Sequence, residues 1–175
     1  MYMTKIMLLG AALGLSLAGA QAGDWGNWRG PNYDGSTDAK DLPTKFSKTE
    51  NVRWSVKMDG PSAATPVIWG DNVFVSSSNQ EKERLTANCY DRKTGALKWS
   101  HQVAKGFRQD NRSNYASPSP VTDGQVVTFF YGGGELATFN MDGDKLWALN
   151  LQKKHGEFAF LWTFSTSPLI HDGVL

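Results

Sequence analysis

Three short patterns recur in fixed order along this chain, at spacings of 45 to 54 residues, and a repeat of that length limits the fold more than any other feature. The first is a Ser/Thr-Pro pair followed by mostly apolar residues, a Gly/Asp turn and another apolar run. It reads "TPVIWGDNVFVSSS" from Thr65, "SPVTDGQVVTFFYG" from Ser119 and "SPLIHDGVL" from Ser167. The prolines, Pro66, Pro120 and Pro168, lie 54 and 48 residues apart. The second pattern aligns "LTANCY" with "ELATFN". The third is a polar turn closed by tryptophan, "DRKTGALKW" and "NMDGDKLW", in which Trp99 and Trp147 each stand four residues beyond the turn glycine. Trp54, Trp99 and Trp147 are spaced by 45 and 48.

One unit therefore reads strand, turn, strand, loop, strand, turn, strand. Four short antiparallel strands in about 45 residues is the size of a β-propeller blade. A four-stranded sheet cannot bury both its faces alone, whereas sheets stacked radially can. The run "VVTFFY" has bulky residues pointing both ways, as a sheet covered on both sides requires. The fold class expected is all-β: a partial propeller of four-stranded antiparallel blades with tryptophan-docking turns, about two and a half blades. Residues 63–105 and 116–154 would be blades and 165–175 the start of another. Residues 23–62 would be an N-terminal segment carrying Trp54 on a ring-closing strand, and the chain is expected to be part of a longer propeller.

The docking turns predict their own chemistry. Gly95 and Gly143 supply the turn, Asp91 and Thr94 satisfy its amides, and Asp142-Gly143 stands where Thr94-Gly95 stands. Trp99 and Trp147 are expected to reach across and cover the turn of an adjacent blade.

Residues 1–22, "MYMTKIMLLGAALGLSLAGAQA", carry one charge at Lys5, an apolar run and an Ala-Gln-Ala ending, the pattern of a cleaved secretory signal peptide. The run is too short to span a bilayer and no later stretch is longer, so no integral membrane segment is expected after cleavage. Residues 23–175 would act in the periplasm or outside the cell. Without Lys5, seventeen basic residues face seventeen acidic ones, which argues against a nucleic-acid partner. Cys89 is the single cysteine and reads as a small buried side chain.

At this level of detail the units resemble the repeat of the pyrroloquinoline-quinone (PQQ)-like β-propellers, whose motif runs Ala-x-Asp-x-x-Thr-Gly-x-x-x-Trp. "NCYDRKTGALKW" matches from Asp91 through Thr94-Gly95 to Trp99, with Cys89 in the alanine position, and "FNMDGDKLW" is the shortened variant. "WGNWRGPNYDG" and "NYASPSPVTDG" resemble signatures of a secreted bacterial subgroup. The resemblance implies an exported, non-enzymatic scaffold or binding protein that holds a protein or small ligand on a propeller face. The alternative is a PQQ- and calcium-dependent dehydrogenase oxidising alcohols or sugars. The adjacent-cysteine pair of the alcohol-oxidising enzymes cannot be made with Cys89 alone, and no residues are assigned as catalytic, cofactor-binding or metal-ligating.

Two inter-blade connections could carry a site. "KGFRQDNRSNY" offers Arg108 and Arg112, either as an anion clamp or as solvated partners of Asp110. "HGEFAFLWTFST", opened by His155, is aromatic and insertion-sized, fit for packing or for contact with a ligand or partner. His101, beyond Trp99 on the outer strand, is expected to face solvent. "YGGGEL" joins two strands and leads into no helix, so it reads as a turn rather than a phosphate loop. In "WRGPNYDG" a rigid turn packing on the ring is the simpler reading, with presentation of Trp25 and Trp28 to a sugar the other.

Overall fold

Runs of β-branched and aromatic residues broken by Gly, Asp and Asn turns build two four-stranded antiparallel sheets, each in simple sequential order. The computed structural model describes residues 23–40, 42–159 and 161–175; the expected signal peptide lies outside them. The first sheet holds β1 (Val67–Trp69), β2 (Asn72–Asn79), β3 (Arg84–Asp91) and β4 (Leu97–Lys105). The second holds β5 (Val121–Thr122), β6 (Val126–Phe130), β7 (Glu135–Asn140) and β8 (Lys145–Asn150). The main core lies between them: Phe74, Leu85, Ala87 and Cys89 of the first meet Val127, Phe129, Ala137 and Phe139 of the second. Strand alternation sends Val73, Val75 and Tyr90 to the opposite face, where Trp54, Met58 and Ile68 cover them. Two stacked sheets of this form, without closure into a barrel, make a partial β-propeller. One element differs from the expected strand-only pattern. After β8 the chain turns into a short helix, α1 (Leu151–His155), whose N-terminus is capped by Asn150 accepting from the Lys153 amide.

The Trp-turn pairs join one unit to the next. Trp54 lies over Gly95 and donates its indole N–H to the Arg92 carbonyl at 2.9 Å. Trp99 lies over Gly143 and donates to Met141 at 3.2 Å. In the first turn the Asp91 carboxylate accepts from the Lys93 and Thr94 amides and the Thr94 hydroxyl. The Thr94 contacts hold that carboxyl below its ordinary range. In the second turn the equivalent acceptor is Asn140, whose side-chain oxygen takes the Asp142 and Asp144 amides, while Asp142 is exposed. Trp147, paired with Thr138, turns away from the first sheet and is 40% exposed; among the described residues no turn glycine lies beneath it.

A register shift sits immediately before each outer-strand tryptophan. Cys89 pairs with Trp99 but Tyr90 with Leu97; Thr138 pairs with Trp147 but Phe139 with Lys145. Each bulge twists the strand and aims its indole across the sheet face. At the inner edge the Ser/Thr-Pro column has a parallel role. The Ser119 hydroxyl accepts from the Thr65 amide at 2.9 Å, and the Ser167 hydroxyl accepts from the Ser119 amide at 3.0 Å. Each unit's entry is thus tied to the next by one side-chain oxygen.

Cys89 is fully buried, and burial pushes its thiol up to about 12. The native protein should leave a disulfide-exchange reagent unreacted at neutral pH and yield one thiol on unfolding. Stoichiometric native reaction at a rate independent of denaturant would contradict this packing.

Candidate functional site

The two inter-blade connections, separate in sequence, meet in space. Tight local bonding first shapes residues 105–115: the Asp110 amide donates to the Ser113 carbonyl and the Tyr115 amide to that of Arg108. Asp110 then reaches across, accepting the Thr163 amide at 2.9 Å along with the Arg112 and Ser113 amides and the Ser113 hydroxyl. These donors, the Thr163 and Arg112 amides foremost, hold its carboxyl well below the usual carboxylate range. Arg108 adds a second tie, donating to the Leu161 carbonyl at 2.9 Å. Beneath the second loop, Phe158 and Phe164 stack at 4.6 Å and both pack edge-on to Phe130. The loop is thereby anchored on the second sheet while its tip, Leu161 and Trp162, faces outward.

Asp110 therefore spends its oxygens on backbone amides and makes no ion pair with either arginine among the described residues. Arg112 instead lies over the Trp162 ring, 5.8 Å from its centroid. Behind this pair opens a cleft of about 830 Å³ at the inner-strand entries, lined by Trp28, Thr65, Ser119, Trp162, Thr163 and Ser167 among others. Its entrance is aromatic and cationic, and its wall is rich in hydroxyls. Arg112 lines this cleft; Arg108 braces the loop, and His155 sits exposed at the end of α1 without joining it. Sequence alone marked both loops and Trp28. It did not mark Trp162, Thr163 or the serine ties, because Thr163 and the serines gain their role only from pairings 53, 54 and 48 residues apart.

His101 is half-buried rather than solvent-facing, its ring stacked on Phe139 at 5.2 Å beside Trp99. Among the described residues no three His, Cys, Asp or Glu side chains converge on a metal position. The one thiol is sealed between the sheets. A quinone with its calcium calls for converging carboxylate and amide oxygens, and the carboxylates among the described residues form no such group.

The "YGGGEL" turn carries a half-buried glutamate, one of whose carboxyl oxygens is sealed from solvent. Glu135 accepts from the Asn150 side chain through Oε1, while Oε2 and the nearby Tyr131 hydroxyl have no hydrogen-bond partner among the described residues. Burial pushes the Glu135 carboxyl above its ordinary value. Its folded-state pKa exceeds the unfolded one, so its contribution is full at acid pH and is lost as pH rises through the folded value. Glu135→Gln keeps the acceptor for Asn150 and removes the titration. The variant should melt higher than the parent at pH 8, with the gap narrowing steadily toward pH 4; a gap of constant size would refute the assignment.

A family described as outer membrane protein assembly factor BamB matches residues 37–175. Among solved structures, BamB from Moraxella catarrhalis is similar over 56% of this chain and 26% of that one, with 23% sequence identity and a TM-score of 0.41. This chain thus spans about a quarter of that protein's length. No curated protein matches. No helix among the described residues is long and apolar enough to cross a membrane.

Proposed function

The chain belongs to the outer membrane protein assembly factor BamB family, and from that membership we propose that it is an exported, non-enzymatic propeller protein that works by binding at the paired loops. The observation that carries this reading is the use of charge at the site. Asp110, the carboxylate best placed to act as a base, is saturated by amide donors, whereas Arg112 and Trp162 face outward. A catalytic base needs a free lone pair within reach of a substrate proton. A recognition surface needs exposed aromatic and guanidinium groups on a rigid mount. The signal-peptide pattern at residues 1–22 supports a periplasmic or secreted setting, where an assembly factor of the outer membrane would work.

The test is made on protein isolated from the host's cell envelope. It should begin near Gly23, and with added PQQ and calcium it should reduce no dye in the presence of alcohols or sugars. A one-to-one quinone isotherm together with substrate-dependent turnover would replace the binding reading with the dehydrogenase one. Protein recovered from the cytosol with Met1 intact would remove the exported setting.

A further inference from the structure

From the cleft behind the paired loops we infer a binding site for an acidic saccharide, a chain of pyranose rings carrying carboxylates. This adds a ligand class to the binding reading above and stands on separate observations. Four features of the cleft converge on that chemistry.

The first is the donor set. Three backbone amides on the cleft wall are already consumed: Thr65 by the Ser119 hydroxyl, Ser119 by the Ser167 hydroxyl and Thr163 by Asp110. At these three positions the wall offers side-chain hydroxyls rather than main-chain donors. Because the Ser119 and Ser167 oxygens act as acceptors in those bonds, their own O–H groups remain as donors. The second is Thr163, only 3% exposed, whose hydroxyl is sealed against the Asp110 carboxylate and so braces the loop that carries Trp162. Hydroxyls that both give and accept, set close together on a wall, match a polyol better than an apolar or purely anionic ligand.

The third feature is a pair of indoles on the lining, Trp28 at 51% and Trp162 at 58% exposure. Indoles left this open have a reason to be there when a flat apolar surface lies against them, and the C–H face of a pyranose is one. The fourth is charge. Arg112 on the cleft wall has no carboxylate within ion-pair distance among the described residues, its nearest acidic neighbour in sequence, Asp110, being occupied by amides. A guanidinium held by stacking on an indole keeps its planar fork free for a carboxylate. The volume, about 830 Å³, falls within the range of small-molecule sites and holds more than one ring.

The probes are trimers of galacturonate, glucuronate and mannuronate, each compared with its neutral hexose trimer, titrated into the full chain by tryptophan fluorescence and calorimetry. At least one acidic trimer should give a saturable signal, with the neutral counterpart about tenfold or more weaker, as loss of a charge-assisted contact implies. Arg112→Gln should bring the acidic trimer down to the neutral one. Trp162→Ala should abolish the saturable response to both, and since this ring is mostly exposed the variant should melt with the parent. Trp147→Ala, on the outer strand, should bind like the parent and so controls for non-specific quenching. Absence of a saturable response to all six trimers, or a response that survives Trp162→Ala, would overturn the proposal. So would an acidic hexapeptide that binds as tightly as the best trimer and depends equally on Arg112; that result would name a polypeptide as the ligand and leave the binding reading standing.

Discussion

Replacement of Trp99 by alanine is expected to lower the unfolding free energy by about 3–5 kcal/mol, the range for deleting a large aromatic from a packed interior. The indole lies where the two sheets meet. Its ring is within 5.8 Å of Phe74, 5.5 Å of Phe139 and 6.2 Å of Phe129, centroid to centroid, and its N–H closes the Met141 carbonyl of the facing turn. Truncation empties the space over Gly143 and leaves that carbonyl without its donor, so a cavity term and a hydrogen-bond term act together. In this chain the same substitution at Trp147 should cost less, about 1–2 kcal/mol, since that ring is 40% exposed and lies over no described turn glycine. The comparison is made by urea unfolding followed by far-ultraviolet circular dichroism, because fluorescence would lose its reporter. Equal losses at the two positions would show that the ring's place between the sheets is not what stabilises the protein.

That contrast also marks how far the sequence could be read. The spacing of Trp54, Trp99 and Trp147 and the turn residues between them carried the repeat, the strand order and the direction in which one unit touches the next. All of these are local patterns multiplied by a period, and a period survives inspection of a single chain. What the pattern could not carry was pairing between units. The serine ties from Thr65 to Ser119 and from Ser119 to Ser167 follow the proline spacing, yet nothing about a serine beside a proline announces that its oxygen will take an amide one unit away. Asn140 carries no turn signal of its own beside the Asp-Gly pair, yet the amides that need an acceptor point back to it at the strand end. The bulges before Trp99 and Trp147 leave no composition signal. His101 turns inward by plain alternation: from Trp99 to His101 the pairing with β3 is unbroken, so the ring two residues on shares the tryptophan's face, a rule that its polar side chain masks in sequence. Of the site, the two loops were legible as polar and aromatic connections, but Asp110 holding Thr163 is a contact across 53 residues that no local rule encodes.

Gly143→Ala should be costly for two separable reasons, and a double-mutant cycle can tell them apart. The backbone here has φ of +98°, a conformation an L-residue resists by roughly 1–2 kcal/mol. A Cβ at this position would also lie 2.7 Å from Cγ of Trp99 and 2.8 Å from Cδ1, well inside the separation of about 3.5–4.0 Å that carbon atoms prefer. The ring cannot retreat without leaving Phe139 and the Met141 carbonyl, so the steric part should roughly double the loss, to about 3–4 kcal/mol in all. Gly70 isolates the backbone part: it too sits in a hairpin turn with positive φ, but with open space where a Cβ would go, and Gly70→Ala should cost about 1–2 kcal/mol. In the Trp99→Ala background the clash has no ring to act on. Gly143→Ala should then fall to the cost seen at Gly70, giving a coupling of about 2 kcal/mol between positions 99 and 143, within the range for residues in contact. If the two losses instead add to within about 0.5 kcal/mol, the glycine is required by the turn alone. The tryptophan four residues beyond each turn glycine would then have no energetic link to the glycine of the unit it covers, and the pairing of ring with turn would not be what fastens one blade to the next.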